Sequence, residues 1–325
     1  MAACSPGRGY LAPLYLQPPR PRAGCTATDT ILEQRTTFME RLRFLLSGCV
    51  WLVMLLATAE PPFPGEQSDF HGFPMVHDAE AGWRVVLPKK PALGRPWVWR
   101  ARFWGHEPQV DVALLERGFH IAFCDVGNLF GSPRAIEIGD AFYASLVDEH
   151  GLAAKPVLEG MSRGGLFIYN WAAANPDKVT AIYGDAPVMD IKSWPGGREA
   201  GKSGPGAAAA WKACLAAYGL TREQALRYDR NPLDTLEPLA RAGIPIIHVV
   251  GDADTVVPVA ENTAIAAERY RALGGTFRVI HKPGIGHHPH TLENPAAIVA
   301  FIMAAWTREF SRAANPPPGV PAGKL

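Results

Sequence analysis

Three short segments of the chain carry side chains suited to acyl transfer. Residues 160–164 read Gly-Met-Ser-Arg-Gly, with Ser162 at the centre. A serine hydroxyl becomes an effective nucleophile when a base accepts its proton and a carboxylate orients that base. Residues 251–258 (Gly-Asp-Ala-Asp-Thr-Val-Val-Pro) offer two aspartates, and residues 284–290 (Gly-Ile-Gly-His-His-Pro-His) offer three histidines. These residue types, in this order along the chain, predict serine-nucleophile chemistry.

The residues around Ser162 predict the local structure that such a nucleophile needs. Residues 156–159 predict a strand that runs into the serine turn, and residues 166–174 predict a helix after it. A sharp strand-to-helix turn strains the serine backbone, and glycines beside it let neighbouring chain approach closely. The alternative is a glycine-rich helix N-terminus that the serine only caps. The strand–turn–helix setting favours the nucleophile.

Strands and helices alternate along most of the chain. Repeated strand–helix units predict an α/β fold with a mostly parallel, doubly wound sheet. Residues 188–238 break the rhythm and predict a small cap inserted late in the sheet. The reactive segments then lie at the carboxyl edge of the sheet, where open α/β sheets bind ligands. Strands are predicted at 83–87, 97–104, 120–124, 156–159, 179–183, 246–250 and 276–280, and helices at 110–117, 134–150, 166–174, 261–273 and 295–310.

The three reactive segments resemble those of the α/β-hydrolase superfamily. Residues 158–165, 250–258 and 283–290 look like its nucleophile, acid and histidine segments, and the likeness extends over about residues 83–310. The chain is similar in particular to secreted bacterial esterases and to prolyl-oligopeptidase-like or dienelactone-hydrolase-like domains. Three motifs in the correct order are far more specific than any one of them.

The resemblance implies a catalytic role for one residue of each segment. Ser162 matches the nucleophile, Asp254 the acid of the Gly-x-x-Asp-x-x-Val-Pro pattern, and His287 the base of the Gly-His pattern. Asp252 is the rival acid, and Asp185 is a weaker rival because it also ends a predicted strand. Since one base suffices, His288 and His290 are expected to shape the loop or to contact substrate.

A tetrahedral intermediate needs two amide donors for its oxyanion. The resemblance places one at the backbone N–H of Arg163, which follows the nucleophile. The second is expected after the strand at 97–104, at Trp104, Gly105 or His106. This chain reads Trp-Gly-His-Glu there and departs from the His-Gly order usual in the family.

Side chains around the predicted active edge indicate the substrate. Arg163 could bind a carboxylate or a hydroxyl-rich group, or could pair with a nearby acid. Trp104, Phe130 and Trp194 lie in predicted loops or the cap, where they could stack on sugar rings or pack the cap onto the core. With Arg163, we take His106, Trp194 and His288 as candidate substrate-binding residues. The resulting hypothesis is an esterase for acetyl or aryl esters on carbohydrate.

Other functions remain as alternatives at this point. A prolyl-oligopeptidase-like serine peptidase would use the same residues, and a catalytically inactive binding module would keep only the scaffold. Dehalogenation is disfavoured because its nucleophile in this fold is an aspartate. No cofactor is expected, and the histidine spacing in 284–290 fits neither a helical His-x-x-x-His pair nor a Cys/His finger, so no metal is expected either. A formal net charge of +1 gives no reason to expect nucleic acid as a partner.

The N-terminal part of the chain predicts targeting rather than fold. Residues 39–59 combine a basic start, a short apolar run and a small-x-small exit, which is typical of a secretory signal peptide. Translation is expected to start at Met39, which makes residues 1–38 a non-native extension. The alternatives are a membrane anchor and, less favoured, lipidation at Cys49. Secretion or a periplasmic location follows, with no membrane association after cleavage.

The rest of the chain divides into three parts. Residues 60–82 are expected to be a lead-in, 83–312 the hydrolase domain with its cap, and 313–325 a disordered tail. Cys124 and Cys214 remain after cleavage, and two cysteines do not make a disulfide framework.

Overall fold

The computed structural model describes residues 63–314. The predictions for residues 1–38 and 39–59, and for most of the tail, lie outside these residues. No helix in the described part of the chain combines the length and the apolar character needed to cross a membrane.

Within residues 63–314, nine strands form one sheet in the order β1-β2-β3-β5-β4-β6-β7-β8-β9. Strands β1 to β3 and the β3–β5 pair are antiparallel, and the pairs from β5 through β4 to β9 are parallel. The prediction of a mostly parallel sheet is confirmed. The strands are β1 (Glu66–Phe70), β2 (Phe73–Asp78), β3 (Trp83–Val86), β4 (Trp97–Ala101), β5 (His120–Cys124), β6 (Val157–Met161), β7 (Ala181–Asp185), β8 (Ile246–Gly251) and β9 (Phe277–Lys282).

Helices cover both faces of the sheet, as a doubly wound fold requires. Alternate residues of one strand enter opposite cores. Trp99 belongs to the apolar cluster that includes residues of α2, α3, α6 and α7, whereas Val98 belongs to the cluster that includes residues of α1 and α8. Because the central strands are buried on both faces, they read as continuous apolar runs. The helices are α1 (Gln109–Leu115), α2 (Pro133–Ala144), α3 (Gly164–Ala174), α4 (Ala208–Tyr218), α5 (Arg222–Leu226), α6 (Glu237–Arg241), α7 (Thr263–Ala272) and α8 (Ala296–Ala314).

Residues 188–238 lie between β7 and β8, where the sequence predicts the cap. The insertion contains α4 and α5 and packs through Trp211 and Cys214 against Leu166 of α3. Its apolar cluster includes Phe130, Leu166 and Val257 from outside the insertion, so it packs onto the core without adding strands. Cys124 and Cys214 are both buried free thiols, and no bridge joins them.

Several boundaries differ from the sequence expectations. The lead-in 60–82 contains β1 and β2, which form a hairpin that the sequence pattern does not reveal because most β1 side chains are exposed. The strand expected at 97–104 ends at Ala101, since Arg102 and Phe103 take positive φ angles of 71° and 50°. Helix α8 continues to Ala314, so the first two residues expected in the tail are helical.

Candidate active site

Ser162 lies on the turn that joins β6 to α3, with a φ of 49°. A Cβ on Gly160 would lie 2.5 Å from the Ile168 side chain, and one on Gly164 would lie 2.4 Å from the carbonyl oxygen of Ala101. Glycine is therefore required at both positions, as the motif predicts. The strained turn presents the hydroxyl at the carboxyl edge of the sheet, at the N-terminus of α3.

The predicted acid and histidine lie beside Ser162 in a continuous hydrogen-bond chain. Nε2 of His287 lies 3.0 Å from Oγ of Ser162, and Nδ1 of His287 lies 2.7 Å from Oδ2 of Asp254. The Asp254 side chain is 1% exposed and that of His287 is 8% exposed. With Nδ1–H donating to the carboxylate, Nε2 can accept the serine proton. This is the arrangement of a nucleophile, a general base and an orienting carboxylate.

The structure distinguishes the two aspartates of the acid loop. The second carboxylate oxygen of Asp254 accepts hydrogen bonds from the backbone N–H groups of Val256 and Val257, at 2.8 and 2.9 Å. Asp252 instead lies 2.7 Å from Nδ1 of His281, and both of those side chains are exposed. Asp254, and not Asp252, is therefore the carboxylate that contacts His287.

Asp185, the weaker rival acid, pairs with a different histidine. Its Oδ1 accepts a 2.7 Å hydrogen bond from Nδ1 of His290, and its Oδ2 accepts bonds from the Thr291 backbone N–H at 2.5 Å and the Tyr183 hydroxyl at 2.8 Å. Its backbone carbonyl also accepts the Ser162 N–H at 2.8 Å. Asp185 thus ties the serine turn to the loop that carries His287.

The remaining histidines gather at the same place. His288 is exposed, and one ring nitrogen each from His287, His288 and His290 lies within 4.8 Å of the others. The exposed His106 ring is 6.3 Å from that of His288 and 6.0 Å from that of His290. Burial and the three neighbouring imidazoles lower the pKa of His288.

The loop after β4, where the second oxyanion donor is predicted, begins three residues earlier than expected. The Trp104 ring packs against Phe70 and Phe123, and a Cβ on Gly105 would have Phe70 as its nearest neighbour. The chain that touches the start of α3 is Ala101 and Arg102, which abut Gly164. The second donor at the Trp104 or Gly105 backbone stays a prediction, although the strand before it ends three residues earlier than expected.

A buried charge network that the sequence analysis did not assign holds this loop. Arg100 bonds Asp111 of α1 and lies 3.0 Å from Glu159 of β6. Nη2 of Arg100 donates hydrogen bonds to two carbonyl oxygens of the loop. These belong to Phe103, at 3.2 Å, and to His106. Charged residues inside apolar strands are the sequence feature that points to such a network.

Burial shapes the protonation of this network. Burial, together with the neighbouring Asp111 carboxylate, raises the pKa of Glu159 to about 8. One oxygen each of Glu159 and Asp111 lacks a partner among the described side chains. A proton held by Glu159 and shared with Asp111 satisfies both oxygens and leaves one net carboxylate to pair with Arg100.

Arg163 and Trp194, two of the predicted substrate-binding residues, lie against each other. The Arg163 guanidinium is 5.7 Å from the Trp194 ring centroid and 5.6 Å from that of Phe103. Within residues 63–314 no carboxylate forms an ion pair with Arg163, so the expected alternative of a salt bridge is not found there. Burial and the nearby Arg102 lower the pKa of Arg163. A half-buried cation between two aromatic rings thus stands beside the nucleophile.

Comparisons with known proteins place the fold. No family model and no curated protein matches the chain. Among solved structures, a puromycin-hydrolyzing peptidase of Mycobacterium tuberculosis is 18% identical with a TM-score of 0.54, over 82% of this chain and 42% of that one. An acylaminoacyl peptidase is 11% identical with a TM-score of 0.51, over 80% and 43%. A putative dipeptidyl aminopeptidase IV from Bacteroides ovatus is 12% identical with a TM-score of 0.52, over 77% and 36%.

The chain therefore spans well under half the length of these structures. At such identities the likeness shows the fold, which is that of the α/β-hydrolases and confirms the predicted fold class.

Proposed function

We propose that this chain, which has the α/β-hydrolase fold, is a serine esterase that cleaves carboxylic esters on carbohydrate. The hydrogen-bond chain from Ser162 through His287 to Asp254 carries the proposal. It combines a strained serine, an imidazole within reach of its proton and a buried carboxylate that fixes the imidazole tautomer.

The proposed reaction follows from these contacts. The Ser162 hydroxyl gives its proton to Nε2 of His287 as Oγ attacks the ester carbonyl carbon, and Asp254 stabilises the imidazolium that forms. The imidazolium then protonates the leaving alcohol as the C–O bond breaks, which leaves an acyl group on Ser162. His287 next accepts a proton from water as the water oxygen attacks the acyl carbon. The bond between that carbon and Oγ then breaks, the imidazolium returns its proton to Oγ, and the acid is released.

The oxyanion of each tetrahedral intermediate needs N–H donors at the serine turn. We assign one to Arg163, the residue after the nucleophile and the N-cap of α3. The second we assign to the backbone of Arg102 or Phe103, because this segment directly follows the part of β4 that abuts Gly164.

The charges near the nucleophile support an ester over a peptide with a free N-terminus. The guanidinium groups of Arg163 and Arg102 lie close enough to repel each other electrostatically. Such a cationic rim attracts anionic substrates and repels an ammonium group, and it does not oppose a neutral ester. The Trp194 and Phe103 rings offer faces against which sugar rings can pack.

Peptide hydrolysis is the second candidate function. It is favoured by the fold likeness to structures described as peptidases, including an acylaminoacyl peptidase. The same triad would cleave a peptide bond, so the substrate decides between the two. An esterase prefers acetylated or feruloylated sugars over a peptide amide by a large margin in kcat/KM.

The protein is proposed to act outside the cytoplasm, since residues 39–59 have the pattern of a signal peptide. Mass spectrometry of the exported protein is expected to find an N-terminus near residue 60. A mature chain that retains residues 39–59 would contradict this proposal.

The activity is tested with purified protein and a panel of acetylated, feruloylated and methyl-esterified sugars, with p-nitrophenyl acetate as a general ester and a peptide amide as comparison. Ser162→Ala and His287→Ala are each expected to abolish ester hydrolysis while circular dichroism stays unchanged. Substantial activity in either variant would contradict the mechanism. Cleavage of the peptide alone would favour the second candidate.

A further inference from the structure

The loop that carries His287 brings together more imidazoles than an acyl transfer needs. The ring centroids of His287 and His290 are 4.8 Å apart, those of His288 and His290 also 4.8 Å, and those of His287 and His288 5.1 Å. One nitrogen from each ring lies within 4.8 Å of the others. General-base catalysis uses only one of these rings.

Two of the three imidazoles are oriented as metal ligands usually are. Asp254 accepts from Nδ1 of His287, and Asp185 accepts from Nδ1 of His290, both at 2.7 Å. A histidine that donates one ring N–H to a carboxylate has its tautomer fixed, with a lone pair on the other nitrogen. Nε2 of both rings is therefore a ready donor to a metal ion.

We propose that His287, His288 and His290 form a binding site for a transition-metal ion such as Zn²⁺, and that metal bound there blocks catalysis. Three imidazoles and one exchangeable position are a common zinc ligand set. The nitrogens of a tetrahedral Zn²⁺ site lie about 3.4 Å apart, given bonds of about 2.0–2.1 Å. The three nitrogens lie within 4.8 Å of one another, so metal binding draws the three rings closer together.

The metal competes directly with the nucleophile. Nε2 of His287 accepts the Ser162 hydroxyl proton at 3.0 Å in the metal-free protein. A metal ion that takes this lone pair removes the general base without displacing a proton from it. His106, whose ring is 6.0 Å from that of His290, is the nearest described imidazole that could fill the fourth position.

Isothermal titration of the metal-free protein with ZnCl₂ tests the site without a substrate, so its outcome does not depend on the proposed esterase activity. One equivalent is expected to bind. His288→Ala and His287→Ala are each expected to raise the Kd about tenfold or more, which is the size of effect seen when a group that supports a metal site is removed. His281→Ala, which removes another exposed histidine paired with an aspartate, is the matched control and should bind as the wild type does.

Equal affinities in the His288→Ala, His287→Ala and His281→Ala variants, or the absence of one-equivalent binding, would overturn the proposal. In a second measurement, ZnCl₂ is expected to inhibit ester hydrolysis by the wild type, and EDTA to restore it. Full hydrolysis by protein that calorimetry shows to be saturated with Zn²⁺ would overturn the inhibitory role.

Discussion

The Asp185 carboxylate accepts a 2.7 Å hydrogen bond from Nδ1 of His290. This pair lies next to the Asp254–His287 pair, which has the same kind of hydrogen bond. The backbone carbonyl of Asp185 holds the Ser162 N–H at 2.8 Å. One residue at the end of β7 therefore positions both the nucleophile turn and the histidine loop. Its backbone carbonyl bonds the serine turn, and its carboxylate bonds the histidine loop.

Asp185→Asn is expected to lower kcat about tenfold or more with little change in KM, because small misplacements of a catalytic group are costly. The amide cannot accept from His290, Thr291 and Tyr183 as the carboxylate does. Steady-state kinetics separates the two constants, and urea unfolding reports stability. Tyr183→Phe, which removes one of the three donors, should have a smaller effect on kcat. An Asp185→Asn variant with normal kcat and raised KM would contradict the positioning role.

The two aspartates of the acid loop are expected to respond differently to the same substitution. Asp254→Asn should lower kcat by about 10⁴, since an amide fixes the wrong tautomer of the histidine. Asp252→Asn is the matched control, because the Asp252 side chain is exposed and bonds only His281 among the described residues. It should keep wild-type kinetics. Loss of activity in the Asp252 variant with activity retained in the Asp254 variant would reverse the assignment.

Glu159 is expected to make the protein less stable as the pH rises. Its pKa is about 8 in the folded protein and 4.5 as an unperturbed group. Between these values the folded state holds a proton that the unfolded state has released, so the free energy of unfolding falls with rising pH and levels off above about 8. Each unit of pKa difference corresponds to about 1.4 kcal/mol.

Glu159→Gln keeps the shape and the hydrogen-bond donor without the titration. Urea unfolding at pH 5 and pH 8 should show a smaller loss of stability for this variant than for the wild type, by more than about 1 kcal/mol. The same pH dependence in both proteins would contradict a raised pKa for Glu159.

Arg163 is expected to select substrates that carry a negative charge near the ester. Arg163→Gln retains the backbone N–H and should leave p-nitrophenyl acetate hydrolysis within about twofold. It should lower kcat/KM for p-nitrophenyl hemisuccinate about tenfold, the loss of one charge-assisted contact. Equal losses for the neutral and the anionic ester would show that the guanidinium supports the fold or the turn and not the substrate.

The sequence predicts the centre of this structure well and its edges less well. Strands such as β8 are apolar on both faces, so their composition alone indicates a buried parallel sheet. The sequence does not indicate the β1–β2 hairpin, because its exposed residues and Pro74 give no alternating pattern. Pairing of β2 with β3 stabilises the hairpin. Such long-range pairing overrides local preference.

The candidate site follows the same division. The glycines around Ser162 encode the strained turn, so its position is readable from sequence. The end of β4 is not, because the strand stops where Arg102 and Phe103 take positive φ angles, in a loop whose carbonyl oxygens bond the Arg100 guanidinium. The partners of Asp185 and Asp252 depend on which loops meet in space, and spacing along the chain does not determine that.

Reaction with a fluorophosphonate probe, followed by peptide mass spectrometry, tests the central role of Ser162 most directly. The activated hydroxyl is expected to carry one covalent adduct, and the His287→Ala variant should react far more slowly because its serine lacks the base. An unmodified Ser162, an adduct on another residue, or equal labelling of the His287→Ala variant would contradict the proposed nucleophile and base.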